Sequence, residues 1–213
     1  MKKIIVTQRI DYIKGYKETR DALDQQLSKW LIQADLLPVP ISNQLFRLLN
    51  DKDAQLNKQP MIQNWLSAIE PDGLLLSGGN DIGEYPERDA TEYYLLDWAK
   101  KNNIPVLGIC RGLQIMATWA GSKLVKIKNH VNIRHRLIFN KKTCNYPNEV
   151  NSFHNWALVD CPNNFIITAR SEDKMIEAIK HRSLPWEAWM WHPERESTFD
   201  KNNMNCFIDL LYR

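Results

Sequence analysis

The stretch Ile104-Pro105-Val106-Leu107-Gly108-Ile109-Cys110-Arg111-Gly112-Leu113-Gln114, continuing through Ile115–Ala120 to Gly121, decides the fold. IPVLGI over 104–109 is a short unbroken apolar run, the pattern of a strand buried on both faces. RGLQIMATWA over 111–120 reads as a helix, with Gly121 as its C-cap. Cys110 stands at the junction with a glycine two residues to either side, a G-x-nucleophile-x-G elbow with sulfur as the nucleophile. Backbone at so sharp a turn is crowded, and neighbours without Cβ relieve it. The helix N-terminus favours thiolate over thiol, and the backbone N–H of Arg111 is placed to meet an oxyanion. The competing reading is a buried structural cysteine beside a packing pair of glycines.

GLLLS (73–77) is a second apolar run, bounded by Pro71-Asp72 and Gly78-Gly79. KIIVT (3–7) is a third strand, short and β-branched. The spacing of Leu23, Leu27, Trp30, Leu31 and Ala34 predicts an amphipathic helix over 16–35. LLPVPIS (36–42) is a short extended segment, and further helices are expected over 42–50, 60–69, 89–102 and 201–212. After Gly121 the pattern shortens to strand-like pieces at 123–127, 136–141, 165–170 and 174–180, with WEAWMW (186–191) as another strand. Strands alternating with helices imply right-handed crossovers. The expectation is an α/β protein of three layers, a mostly parallel central sheet flanked by helices, forming one domain over 1–213.

Composition narrows the function classes. The chain has 213 residues, 44% hydrophobic and 25% charged, which excludes disorder and a disulfide miniprotein. The net charge of +3 is mixed along the chain, with no basic patch of the kind that binds nucleic acid. No apolar run approaches the roughly 18 residues of a membrane span, and MKKIIVTQRI lacks a signal-peptide core. Cys110, Cys144, Cys161 and Cys206 show no metal-ligand spacing, so reduced thiols in the cytoplasm are expected. Glycine is scarce: 8 residues where average usage gives roughly 15. Six of them fall between Gly73 and Gly112, around the ends of the two apolar strands.

A thiolate needs an acid/base partner, and His192-Pro193-Glu194 supplies one. Alternate residues of an extended segment face one side, so His192 and Glu194 can lie side by side, with Pro193 holding His192 extended. The carboxylate would orient the imidazole, as in other nucleophile triads. Gly78-Gly79-Asn80-Asp81 ends the other apolar strand. Ligand sites in open α/β sheets lie at such carboxyl ends, and a glycine pair there can turn an N–H toward a bound carbonyl. The spacing is wrong for a dinucleotide fingerprint, and no P-loop occurs. His130 and His135 lie in a polar stretch with no carboxylate or cysteine nearby, which reads as a surface loop rather than a metal site.

Taken in order, SGGND (77–81), GICRGLQ (108–114), NSFH (151–154) and WHPE (191–194) resemble the class I glutamine amidotransferases. Within them the chain is similar to the stand-alone γ-glutamyl hydrolases of peptidase family C26. The resemblance implies a flavodoxin-like three-layer fold with Cys110 as nucleophile, His192 as general acid/base and Glu194 as its orienter. It implies an oxyanion hole made by the backbone N–H groups of Gly79 and Arg111. Gln114, Ser152, Phe153 and His154 match positions that hold the glutamyl moiety, and Arg88, Asp89 and Glu92 match an RDxxE segment near the same pocket. Two positions depart from the pattern: Asn155, where His or Gln is common, and Met190, where Gln is usual. VTQRI, YKETRDAL, NSFHN and MWHPERE resemble a further branch, the γ-glutamyl-CDP-amidate hydrolases, which release glutamate and cytidine diphosphoramidate for capsular phosphoramidate.

The chemistry so implied is hydrolysis of a γ-glutamyl amide through a Cys110 thioester, needing no metal and no cofactor. The partner is a small-molecule γ-glutamyl substrate that can be nucleotide-linked; γ-glutamyl-amine hydrolysis, ammonia delivery to a synthetase and non-catalytic γ-glutamyl binding are the alternatives. Arg9 follows the first strand and can reach a diphosphate. Tyr16 and Arg20, with Trp186, Trp189 and Trp191, are further candidates for a nucleotide, although the tryptophans read better as core. Oligomeric state is not written in these motifs.

Overall fold

The computed structural model describes residues 1–45, 61–139 and 145–212. Among these residues the main sheet has eight strands. Four parallel strands come first: β1 (Lys2–Val6), β4 (Leu36–Pro40), β5 (Gly73–Leu76) and β6 (Val106–Ile109). β14 (Trp186–Trp189) joins β6 in parallel, and β13 (Ile176–His181), β12 (Phe165–Arg170) and β9 (Ile138–Phe139) continue antiparallel. The spatial order is β4-β1-β5-β6-β14-β13-β12-β9, so β5, β6 and β14 are neighbours in the middle.

Alternation along β1 shows why three layers form. Ile4 and Val6 point into one hydrophobic cluster and Ile5 into the other, and all three are fully buried. The first cluster is covered by α1 (Gln25–Gln33) through Leu27, Trp30 and Leu31, and by α5 (Lys201–Leu210) through Met204, Phe207 and Leu210. Trp30 stacks on Phe207 with ring centroids 6.2 Å apart. The second cluster is covered by α2 (Met61–Ile69), α3 (Pro86–Lys101) and α4 (Arg111–Trp119). The α/β, mostly parallel, three-layer expectation holds. Trp186, Trp189 and Trp191 are core residues, each at most 1% exposed.

Several boundaries differ from expectation. Residues 16–22 are not helical: β2 (Arg9–Ile13) and β3 (Glu18–Ala22) form an antiparallel hairpin, and the helix starts only at Gln25, capped by Asp24. The apolar spacing that predicted the helix begins at Leu23, so nothing before it carried helical information. The hairpin is pinned by Asn80, which exchanges hydrogen bonds with the Ile10 backbone at 2.8 and 2.9 Å. The helix expected over 42–50 falls largely outside the described residues, and Asn43-Gln44 form a turn. Two small antiparallel pairs were not anticipated: β8 (Val131–Arg136) with β10 (Glu149–Phe153), and β7 (Leu124–Lys126) with β11 (Trp156–Leu158). Cys206 is disulfide-bonded, against the expectation of reduced thiols, whereas Cys110 and Cys161 are free; cysteine spacing alone does not specify pairing. None of the helices described is long and apolar enough to cross a membrane.

Candidate active site

The carboxyl ends of β5, β6 and β14 open on one edge of the sheet, and each delivers one part of the site. At the end of β6, Cys110 takes φ 51° and ψ −102°, a left-handed conformation rarely held by a residue with a side chain. Such backbone costs on the order of 1–3 kcal/mol and persists only where the surroundings impose it. Here the Cys110 N–H donates to the Trp189 carbonyl at 2.7 Å, and its own carbonyl accepts from Leu113 and Gln114 to start α4. The flanking glycines are required by space: an ideal Cβ on Gly112 would lie 2.2 Å from the Leu76 carbonyl oxygen, and one on Gly108 would lie 2.7 Å from the Gly112 backbone.

At the end of β14 the chain turns through a single 3-10 turn, Pro193–Arg195, instead of remaining extended to Glu194. The turn still brings His192 Nδ1 within 2.6 Å of Glu194 Oε1, with both side chains buried. The charge of this imidazole acts on Cys110, and that of the Cys110 thiolate on the imidazole. Burial pushes the Cys110 thiol up, but the charge of His192, with those of His154 and Arg195, outweighs burial, and the thiol pKa is lowered. Burial likewise opposes a charged His192, yet Glu194 and the Cys110 thiolate raise its pKa to about 10. Both shifts act in the direction of a thiolate–imidazolium pair.

Gly78 and Gly79 follow β5, and an ideal Cβ on Gly78 would lie 2.8 Å from His192 Cε1. Gly79 has φ +130°, and a Cβ there would lie 2.6 Å from both Arg88 Nη1 and Arg9 Cβ. Arg88 and Glu92, expected near the pocket, are both fully buried directly behind this loop. Arg88 Nη2 donates to the carbonyls of Ser77 and Gly78, each at 3.0 Å, while Arg88 Nε donates to Glu92 at 3.2 Å. The Arg111 guanidinium pairs with Glu92 and Asp89, so one buried carboxylate ties the glycine loop to the elbow. Burial alone would raise the Glu92 pKa, and the charges of Arg111 and Arg88 hold it below its ordinary value.

The other expected residues divide by what they touch. Gln114 is buried at the base, with Nε2 3.3 Å from the Trp156 carbonyl and 3.9 Å from Met190 Sδ. Phe153 meets the His192 ring edge-on at 5.8 Å, and the Arg195 guanidinium lies over the Phe153 ring at 4.9 Å. The Ser152 hydroxyl is turned inward, donating to the His130 carbonyl at 2.6 Å. Arg9, with Ser77, Gly78, His192 and Arg195, lines a narrow cleft, and its exposed guanidinium lies 3.4 Å from Asp11. Tyr16 is exposed on the hairpin turn, and Arg20 pairs with Glu18.

Two features were not read from the sequence. Asn151 brackets His192, donating to its carbonyl at 2.8 Å and accepting from its N–H at 2.9 Å. It belongs to the quoted NSFH segment but carried no role there. His130 and His135 are buried, not on a surface loop, and gather with His154 and Glu177. The carboxylate absent from their neighbourhood in sequence arrives from β13.

Residues 23–209 match the family model "Glutamine amidotransferase class-I". The chain is 30% identical over 202 residues to a γ-glutamyl-CDP-amidate hydrolase of Campylobacter jejuni, covering 90% of each chain. It is 34% identical over 153 residues to a GMP synthase [glutamine-hydrolyzing] subunit of Methanothrix thermoacetophila, covering 68% of this chain and 80% of that one. The fold matches the crystal structure of a GMP synthase subunit from Thermoplasma acidophilum, with TM-score 0.71, 24% identity, and 100% and 94% of the two chains covered.

Proposed function

The chain belongs to the class-I glutamine amidotransferase family, a family of amide-cleaving enzymes, and on that premise we propose that it hydrolyses a γ-glutamyl amide through Cys110. The observation that carries the reading is the strained Cys110 elbow, its thiol pKa lowered against burial by the charge of an imidazole that Glu194 holds at 2.6 Å. The thiolate attacks the γ-carbonyl carbon, forming the C–S bond and moving an electron pair onto oxygen. That oxyanion is met by the backbone N–H groups of Gly79 and Arg111. As the C–N bond breaks, the His192 nitrogen not bonded to Glu194 gives its proton to the departing nitrogen. Water then attacks the thioester, His192 takes its proton, and glutamate leaves with the thiolate restored. Gln114 and Phe153 hold the glutamyl group, while Arg88 and Glu92 position the glycine loop.

For the leaving group, the reading is γ-glutamyl-CDP-amidate, hydrolysed to glutamate and cytidine diphosphoramidate for capsular phosphoramidate modification. The Campylobacter relative supports it, being matched over nearly the whole of both chains. Arg9, exposed at the mouth of the cleft, is the group proposed to meet a diphosphate. A second reading, a glutaminase that supplies ammonia to a separate synthetase, is favoured by the similarity to the Methanothrix GMP synthase chain.

Glutamate release from glutamine, γ-glutamyl-aminobutyrate and γ-glutamyl-CDP-amidate separates these readings. We expect kcat/KM for the nucleotide substrate to exceed that for glutamine by more than tenfold, about 1.4 kcal/mol of transition-state discrimination. A smaller preference, with glutaminase activity stimulated by a synthetase, selects the second reading. Cys110→Ala should abolish turnover while leaving the fold intact; glutamate release at the wild-type rate would remove Cys110 from the mechanism.

A further inference from the structure

We propose that His130, His135, His154 and Glu177 form a closed binding site for one divalent transition-metal ion of the zinc type. Their ligand atoms all lie within 4.8 Å of one another. Glu177 Oε1 is 3.6 Å from His154 Nε2, 3.9 Å from His130 Nδ1 and 4.0 Å from His135 Nε2. These separations are too long for hydrogen bonds and slightly longer than the roughly 3.3 Å between donors bound tetrahedrally at about 2.0–2.1 Å. A modest contraction around an ion closes the set.

The stronger observation is what these atoms lack. His130 Nδ1, His135 Nε2, His154 Nε2 and both oxygens of Glu177 are buried without a hydrogen-bond partner among the described residues. Glu177 is fully buried, and the three imidazoles are 2%, 8% and 3% exposed. A buried carboxylate facing unpaired ring nitrogens is strongly unfavourable unless a cation stands between them.

The outer contacts set the rings for metal. His130 Nε2 lies 2.7 Å from Asp173 Oδ2, and His154 Nδ1 lies 3.0 Å from the Trp156 carbonyl. In each case one ring N–H is engaged outside the cluster, which leaves the opposite nitrogen as a lone pair pointing in. Carboxylates and carbonyls fix the tautomer of metal-ligating histidines in this way. Three imidazoles and one carboxylate suit zinc better than calcium or magnesium.

Four protein donors leave no open position, so the ion would be structural. It would join β13 of the main sheet to the β8–β10 pair and to His154 just beyond it. That pair carries Asn151 and Phe153, which hold His192 in place. The inference stands apart from the proposed reaction, because the geometry of the cluster does not depend on what Cys110 attacks.

The test uses purified full-length protein, its metal content by mass spectrometry, and titration of the chelated protein with Zn²⁺ by calorimetry and thermal melting. One Zn²⁺ per chain and a rise in Tm are expected. Cobalt substitution should give the visible ligand-field bands of a tetrahedral site. His135→Gln and Glu177→Gln should each weaken Zn²⁺ binding about a hundredfold or more, and Asp173→Asn, altering only an outer contact, about 10–100-fold. If Glu177→Gln does not fold, the titration of chelated wild type still decides. Folded wild type that neither binds Zn²⁺ stoichiometrically nor gains Tm overturns the proposal, and a proton shared between Glu177 and a histidine takes its place. Zn²⁺ binding retained in His135→Gln and Glu177→Gln overturns it as well.

Discussion

Replacing Gly112 by alanine adds one methyl group at the tightest point of the site. That carbon would lie 2.2 Å from the Leu76 carbonyl oxygen and 2.9 Å from Leu76 C and Cβ, where ordinary contact begins at 3.4 Å. Two opposing effects decide the sign. Alanine favours the first turn of α4 over glycine by about 1 kcal/mol. Overpacking a rigid core costs about 1–3 kcal/mol and sometimes more, and the upper end applies because two backbones collide and neither can rotate away. The net expectation is destabilisation by about 2 kcal/mol, a fall in Tm of about 4–8 °C for a chain of this size. Relief of the clash must shift α4 against β5 by about 1 Å, and a displacement of that size can lower turnover about a hundredfold. Thermal melting and glutamate release measure the two effects separately. Gly15→Ala, with nothing within 4 Å, is the neutral control. Gly83→Ala, at φ +91° in open space, should cost only the backbone penalty of about 1 kcal/mol and leave turnover unchanged. A Gly112→Ala enzyme with wild-type Tm and turnover would refute the steric account of the elbow.

Two further outcomes follow from the charges. Because Cys110 is lowered and His192 raised, alkylation of Cys110 by iodoacetamide should stay fast well below the ordinary thiol range. In His192→Ala, burial is left without its main opposing charge, so the alkylation profile should move to higher pH; an unmoved profile would show that His192 does not set the thiolate. Glu92→Gln leaves the buried Arg88 and Arg111 guanidiniums without their shared carboxylate, which costs about 3–5 kcal/mol. Tm should drop on the order of 10 °C; a drop within about 2 °C, less than 1 kcal/mol for a chain of this size, would mean the network does not hold the glycine loop.

The readable parts of the site share one property: each is a short segment at a strand end whose chemistry lies within a few residues. Cys110 with its glycines, the Gly78-Gly79 pair and His192 with Glu194 are of this kind, and the structure gathers them on one sheet edge. Residues whose meaning depends on a distant partner were read less well. The RDxxE segment points near the pocket, but only the pairing of Glu92 with Arg88 and with Arg111 of another helix gives these residues a task behind its wall. Asn151 gained its role only when β10 came to rest beside the turn at His192. The helix expected from residue 16 failed because apolar spacing beginning at Leu23 was extended backward over a hairpin.

The alternation of buried strands and helices, the Cys110 elbow and the His192-Pro193-Glu194 segment are legible in the amino-acid sequence alone. Hydrophobic period and backbone crowding are local, and a chain carries them wherever it folds. The meeting of His130, His135, His154 and Glu177 is visible only in the folded chain. Their segments are brought together by the β8–β10 pairing and by the position of β13 in the sheet. Contacts between residues so far apart are set by strand register, which no spacing within one segment encodes.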